Sequence, residues 1–279
     1  MITMRIAGLT ALTMVAFAAN SVLTRLALAP GSIDAASFGT LRTLSALIVL
    51  VVLLRFKGMT PKPKKKTLYP ALMLFCYAVF FSYAYISLPA GTGALILFGL
   101  VQITMFSIAL WQKEHFAMLS WVGFCMAIGG LVYLLLPGVT APNPLGATFM
   151  SVAGVAWGLY SILGKGADDP LRSNAENFLI AVPMMALVSL VMIWDAHLSL
   201  EGAAYAIGAG ALTTGCGYVI WFAALKGLGS GQAATVQLSV PIIASMGGVI
   251  LLSEPVTWRL VIASTLVLGG VLIVLRQRQ

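Results

Sequence analysis

Val15-Ala16-Phe17-x-x-Asn20-Ser21-Val22-Leu23-Thr24-Arg25 returns 140 residues later as Val155-Ala156-Trp157-x-x-Tyr160-Ser161-Ile162-Leu163-Gly164-Lys165. The same offset, without a gap, carries Phe38 onto Phe178, Cys76 onto Cys216, Leu88 onto Leu228, Gly91 onto Gly231 and Ala94 onto Ala234. It also carries Glu114 onto Glu254 and Gly129-Gly130 onto Gly269-Gly270. Single identities mean little in a chain rich in Leu, Ala and Gly. A glutamate pair, a glycine pair and a polar motif at one offset argue for duplication. The halves are 1–139 and 140–279.

The content of each half is set by its apolarity. The 279 residues are 60% hydrophobic and 9% charged, against roughly 25% charged in soluble domains. A bilayer solvates such a surface, and a spanning helix needs about 20 mostly apolar residues. Apolar runs separated by turn residues predict ten spans: 4–27, 33–56, 67–87, 91–111, 117–136, 144–165, 176–194, 202–225, 231–252 and 256–275. The breaks are Pro30-Gly31, Pro61 to Lys66, Pro89 to Gly91, Pro137 to Pro144, Asp168 to Asn174, Gly227 to Gly231 and Pro255. The expected fold is therefore an all-α integral membrane bundle. Five spans per half is odd, so span six enters from the face opposite to span one, and the repeats are inverted. Secondary transporters use this architecture, with the substrate between the repeats near the midplane.

The net charge of +8 is local: Arg55, Lys57, Lys62, Lys64, Lys65 and Lys66 cluster around one loop. That pattern fits a cytoplasmic loop near anionic lipid and excludes a nucleic-acid partner. With the N-terminus inside, thirteen Lys and Arg fall inside, against Arg25 and Arg259 outside. The expected location is the cell (inner) membrane, with both termini cytoplasmic. Ala16-Phe17-Ala18 resembles a signal cleavage site, but a removed segment would need no counterpart at the offset. Cys76, Cys125 and Cys216 lie in apolar runs without metal-ligand spacing, and no cofactor is expected.

Two further stretches carry a family resemblance. One is Phe38-x-x-x-Arg42 in span two. The other is Pro241-Ile242-Ile243-Ala244-Ser245-Met246-Gly247-Gly248-Val249-Ile250-Leu251-Leu252-Ser253-Glu254 in span nine. With the duplicated five-helix unit, they resemble the EamA-type ten-helix carriers of the drug/metabolite transporter superfamily. The resemblance implies a carrier. Within the superfamily the aromatic spans are similar to bacterial amino-acid exporters, including an aromatic-amino-acid exporter. The first half departs from the pattern, with Val101 at the position matching Pro241, and the second half has Val182 matching Arg42. Only span nine is predicted to kink, because Pro241 frees the carbonyl of Gln237.

A path-lining helix carries polar groups at membrane depth, which lipid-facing helices avoid. Spans five, seven and ten are poor in them, and are expected at the periphery. The glycines of spans five and ten suit close packing, within the chain or between subunits. A monomer is expected. The candidate substrate-binding residues are Phe17, Asn20, Tyr77, Phe81, Gln102, Trp157, Tyr160, Tyr218, Trp221 and Gln237. An aromatic stripe at helical spacing also serves plain packing, and a buried amide also serves helix pairing. Arg42, a charge within a span, either attracts a carboxylate or ties span two to carbonyls. Pro241, Glu114 and Glu254 are gating or structural candidates. The two histidines, His115 and His197, fall in loops, and no catalytic set is seen. A channel would want a continuous polar lining. The expected partners are a small molecule and the bilayer. The substrate readings are amino acids including aromatic ones, other metabolites, or drug-like cations, exported by alternating access.

Overall fold

The computed structural model describes residues 4–111, 113, 118–138, 140–164, 167–225 and 236–277. Glu114, His115, Lys165, Lys226 and the Gly227 to Gly231 break lie outside them. The described residues form helices without a strand, apart from one isolated bridge between Ile33 and Leu198. Spans one to seven are single helices: α1 (Met4–Leu28), α2 (Ala35–Phe56), α3 (Leu68–Ala84), α4 (Ala90–Trp111), α5 (Met118–Leu135), α6 (Pro144–Gly164) and α7 (Pro170–Val191). Span eight is composite. α8 (Leu200–Gly208) continues through a π-helical stretch, Ala209–Cys216, into α9 (Gly217–Leu225). α10 (Ser239–Leu252) and α11 (Trp258–Gln277) belong to spans nine and ten. Among the described residues, eight segments are long and apolar enough to cross a membrane, and the last two are shorter apolar helices. This is a ten-helix membrane protein.

The packing follows the duplication. Span three packs on span six, and span one packs on span eight. Span four packs on span six, and span nine on span one. Span seven lies against span three, and span eight against span two. Each second contact is the first one moved by the 140-residue offset. Spans two and seven pair at one side, and spans five and ten at the other.

The five–ten pair is held at its glycines. A Cβ on Gly123 would strike the carbonyl of Gly270, and one on Gly270 would strike the backbone of Gly123 and Ala127. In this chain those small residues therefore join two of its own helices. Only the absence of side chains permits the approach.

Span seven departs from expectation in two ways. It starts at Pro170, not 176, because Asp169 caps the helix by accepting from the Arg172 N–H and Pro170 occupies the first turn. The sequence pattern Asp-Pro is a start signal, not part of a break. The extra turns place Asn174 and Asn177 on a buried face, both 3% exposed. Span seven is thus peripheral only in part. Its Phe178, Ala181 and Met185 are buried as well.

Span nine also differs. The helix is interrupted at Leu238 and restarts at Ser239, whose hydroxyl donates to the Val236 carbonyl at 2.7 Å. Pro241 lies in the first turn, where its missing N–H costs no helical bond. The expected kink in a continuous helix is therefore a break before the proline. Pro183, inside α7, is the proline that removes an interior helical bond.

Candidate functional site

The middle of the bundle is built from six neighbouring rings. Phe17 and Tyr77 sit near the middles of α1 and α3, Phe81 one turn further along α3, and Trp157 within α6. Ring centroids lie 4.8 Å apart for Tyr77 and Trp157, 5.2 Å for Trp157 and Tyr218, and 6.1 Å for Phe17 and Tyr218. Phe81 lies 5.1 Å from Tyr77, and Trp221 lies 5.9 Å from Phe17. These tilted and edge-on arrangements suit the ring quadrupoles.

Among these rings lies a cavity lined by Phe17, Asn20, Ser21, Tyr77, Phe81 and Trp157, with Leu97, Phe98, Thr213, Thr214 and Tyr218 completing the wall. The lining comes from spans one, three, four, six and eight. The free space is about 20 Å³ for the centre of a water-sized sphere, room for little more than one water. In this conformation the rings fill the space that a metabolite would need.

A polar thread crosses the lining. The Asn20 amide donates to the Tyr77 hydroxyl at 3.4 Å, and the Asn20 oxygen lies 3.3 Å from the Thr213 hydroxyl, whose one proton is shared between it and the Ala209 carbonyl. It links spans three, one and eight. Thr213 and Thr214 come from the π-helical stretch, where both hydroxyls reach back to the Ala209 carbonyl, at 2.6 and 2.9 Å. π-bulges are frequent at functional sites. The sequence reading missed these threonines, and Leu97 and Phe98 as well. The available signal was Thr213-Thr214 among Gly208, Gly210, Gly215 and Gly217 in an otherwise apolar span.

Four other candidates stand outside the lining. Tyr160 lies behind Trp157 at 5.6 Å. Its hydroxyl donates to Asn174 at 2.6 Å and accepts from Asn177 at 3.2 Å, tying span six to span seven. Trp221 backs Phe17. Gln102 is 8% exposed, and its Nε2 has no partner among the described residues. Gln237 is half-buried before the break in span nine.

Arg42 is buried immediately behind the cavity wall, 2% exposed. Its guanidinium carbon lies 4.7 Å from the Phe81 ring centroid, 5.4 Å from Tyr77 and 6.0 Å from Phe38. An arginine at the centre of a spanning helix costs about 3 kcal/mol on insertion scales. A desolvated cation–π contact returns about 2 kcal/mol. The rings thus offset much of the charge, but they accept no N–H from Nε or Nη1, which lack hydrogen-bond partners among the described residues.

A second polar cluster closes one end of the bundle, where spans one, three and nine end and span four begins. Arg25 Nε donates to Glu254 Oε1 at 3.0 Å. Arg25 Nη1 donates to the carbonyls of Tyr85 and Ile86 at 3.0 and 2.8 Å. The other Glu254 oxygen accepts from the Ala90 N–H at 2.8 Å, capping α4. Ser253 turns the chain there with φ 53, and the Glu254 N–H closes onto the Gly248 carbonyl at 3.1 Å. Gly248 leaves room for the carboxylate, since a Cβ there would strike Glu254 Oε2. At the same end, Asp34 caps α2 through the Ser37 N–H at 2.8 Å and accepts from the His197 N–H at 3.1 Å. Burial pushes the Asp34 carboxyl up, but the bonds from Ser37 and His197 outweigh it and hold the group below its ordinary value.

The EamA-like transporter family matches residues 144–276. An uncharacterized protein of Pseudomonas aeruginosa is 47% identical over 270 residues, 97% of this chain and 94% of that protein. A protein of Archaeoglobus fulgidus named as an uncharacterized transporter is 28% identical over 261 residues, 90% of each chain. One solved crystal structure of a protein superposes with a TM-score of 0.68 at 18% identity, covering 96% of this chain and 99% of that one. That likeness concerns the fold alone.

Proposed function

The chain belongs to the EamA-like transporter family, and from that premise we propose that this membrane transporter of small molecules exports amino acids, including aromatic ones. The family and the transporter-named relative indicate a transporter rather than an enzyme. The proposed mechanism is alternating access through the central cavity, between inverted halves 1–139 and 140–279. The family match supports the division, because it spans one five-helix unit, spans six to ten. The offset-related packing of the spans supports it too. The proposed setting is the inner membrane, both termini cytoplasmic, with the protein acting as a monomer.

The observation that carries the substrate reading is the lining. Phe17, Tyr77, Phe81, Trp157 and Tyr218 offer flat apolar faces, and Asn20, Thr213 and Thr214 offer hydrogen bonds at the same depth. That combination suits a small amphipathic molecule with a ring or branched apolar end. Purified protein in liposomes tests it with a panel of labelled amino acids. The expected result is uptake of aromatic members, accelerated by unlabelled substrate on the opposite side. Flux of none of the panel removes the amino-acid reading.

A further inference from the structure

We propose that the cavity recognises the carboxylate of its substrate through Arg42, the surrounding rings holding the apolar remainder. This deepens the amino-acid reading above and rests on that reading's choice of site. The observation is an incompletely satisfied cation. Arg42 is 2% exposed, and Nε and Nη1 have no hydrogen-bond partner among the described residues. Its guanidinium lies against Tyr77 and Phe81, which form the cavity wall.

The Tyr77 hydroxyl lies within hydrogen-bonding reach of the guanidinium, yet Nε and Nη1 find no acceptor among the described residues. The hydroxyls of Thr43 and Ser45 on the same helix donate to the Gly39 and Arg42 carbonyls, and neither oxygen accepts from Nε or Nη1. Ser82 on span three donates to the Ala78 carbonyl. No described carboxylate pairs with Arg42: Asp34 caps α2, Asp169 caps α7, Glu176 pairs with Arg172, Glu201 accepts from Tyr205 and Glu254 pairs with Arg25, while Asp168 and Asp195 lie outside the long helices. A guanidinium presents a planar fork that matches a carboxylate, and the pair is strongest where water is excluded. Admitting any metabolite requires the Tyr77 and Phe81 rings to swing aside, since the cavity now holds about 20 Å³. That movement opens the way from the cavity to Arg42. A carboxylate arriving there completes the two empty donors, and the rings remain for its apolar part.

The test compares matched pairs on full-length protein, by calorimetric binding and by counterflow in liposomes. L-Phenylalanine is set against L-phenylalaninamide, 3-phenylpropionate against 2-phenylethylamine, and L-leucine against L-leucinamide. The wild type is expected to favour the carboxylate of at least one pair by tenfold or more. Arg42→Gln is expected to abolish that preference, and Arg42→Lys to restore part of it. No carboxylate preference in any pair overturns the proposal, even if the cationic members are carried, which would leave a transporter of another specificity. A preference unchanged in Arg42→Gln overturns it as well. Carboxylate binding that depends on Arg42 without flux upholds the anion site and sinks amino-acid transport. If Arg42→Gln does not fold, the wild-type pairs still decide.

Discussion

Trp157 stands between Tyr77, Tyr160 and Tyr218, with ring centroids 4.8, 5.6 and 5.2 Å away. A side chain so placed both packs the bundle and walls the cavity, and only function separates the two roles. Replacing Trp157 or Tyr77 with Ala is expected to leave insertion and folding intact while lowering transport efficiency by about tenfold to a hundredfold, the worth of one substrate-sized contact. Flux and thermal stability measured on the same preparation check this. Normal flux in both variants would remove these rings from the path. At this scale the sequence was informative wherever the helix was regular. Phe17 and Asn20, Tyr77 and Phe81, and Trp157 keep helical spacing, so each set falls on one face. Thr213 and Thr214 sit in the π-helical stretch, which turns less per residue than an α-helix, so α-periodicity does not place them. The amides of Gln102 and Gln237 lie outside the lining in this conformation: polarity at depth says that a group needs a partner, and does not say which.

Glu254 ties four spans at one end of the bundle through Arg25 and the Ala90 N–H. Its hold depends on the Ser253 turn and the gap left by Gly248. Glu254→Gln keeps the shape and removes the charge, so the Arg25 bond weakens to a neutral one. The expected cost is about 1–2 kcal/mol of stability. Labelling of a cysteine placed at Phe98 is expected to speed up from the face of the latch. Unchanged labelling would make the cluster a structural brace. Glu114, the position that the offset matches to Glu254, lies outside the described residues, so the comparison rests on one copy. Element boundaries were legible wherever a cap or proline marked them. The miss at span seven came from hydropathy: Arg172, Asn174 and Glu176 depress the window, yet Asp169 and Pro170 start the helix there. Span nine was misread because proline was assigned a kink without asking how far it stood from a helix start.

The whole molecule is where the sequence was most legible. Apolarity, the offset and the count of spans lead to a ten-helix bundle with offset-related packing. The substrate was least legible, because it depends on how side chains from five separate spans meet, which no local pattern encodes. Orientation rests on thirteen Lys and Arg against two. Impermeant thiol reagents added outside cells are therefore expected to miss single cysteines at positions 62–66 and to reach the Asp195 to Glu201 segment. The reverse pattern would invert the topology.

Alternating access makes one demand that a channel does not: closing one end must leave the cavity reachable from the other. A cysteine at Phe98 reports the cavity, and cysteines at Arg25 and Glu254, joined by a short bifunctional thiol reagent before the reporter is exposed to label, lock the latch. The measurement is the rate of reporter labelling from each side of oriented vesicles, with and without the lock. The expected result is labelling from both sides in the free protein, loss of labelling from the latch side on locking, and equal or faster labelling from the other side. Labelling from the latch side that persists after locking, or loss from both sides at once, would contradict alternating access through this cavity.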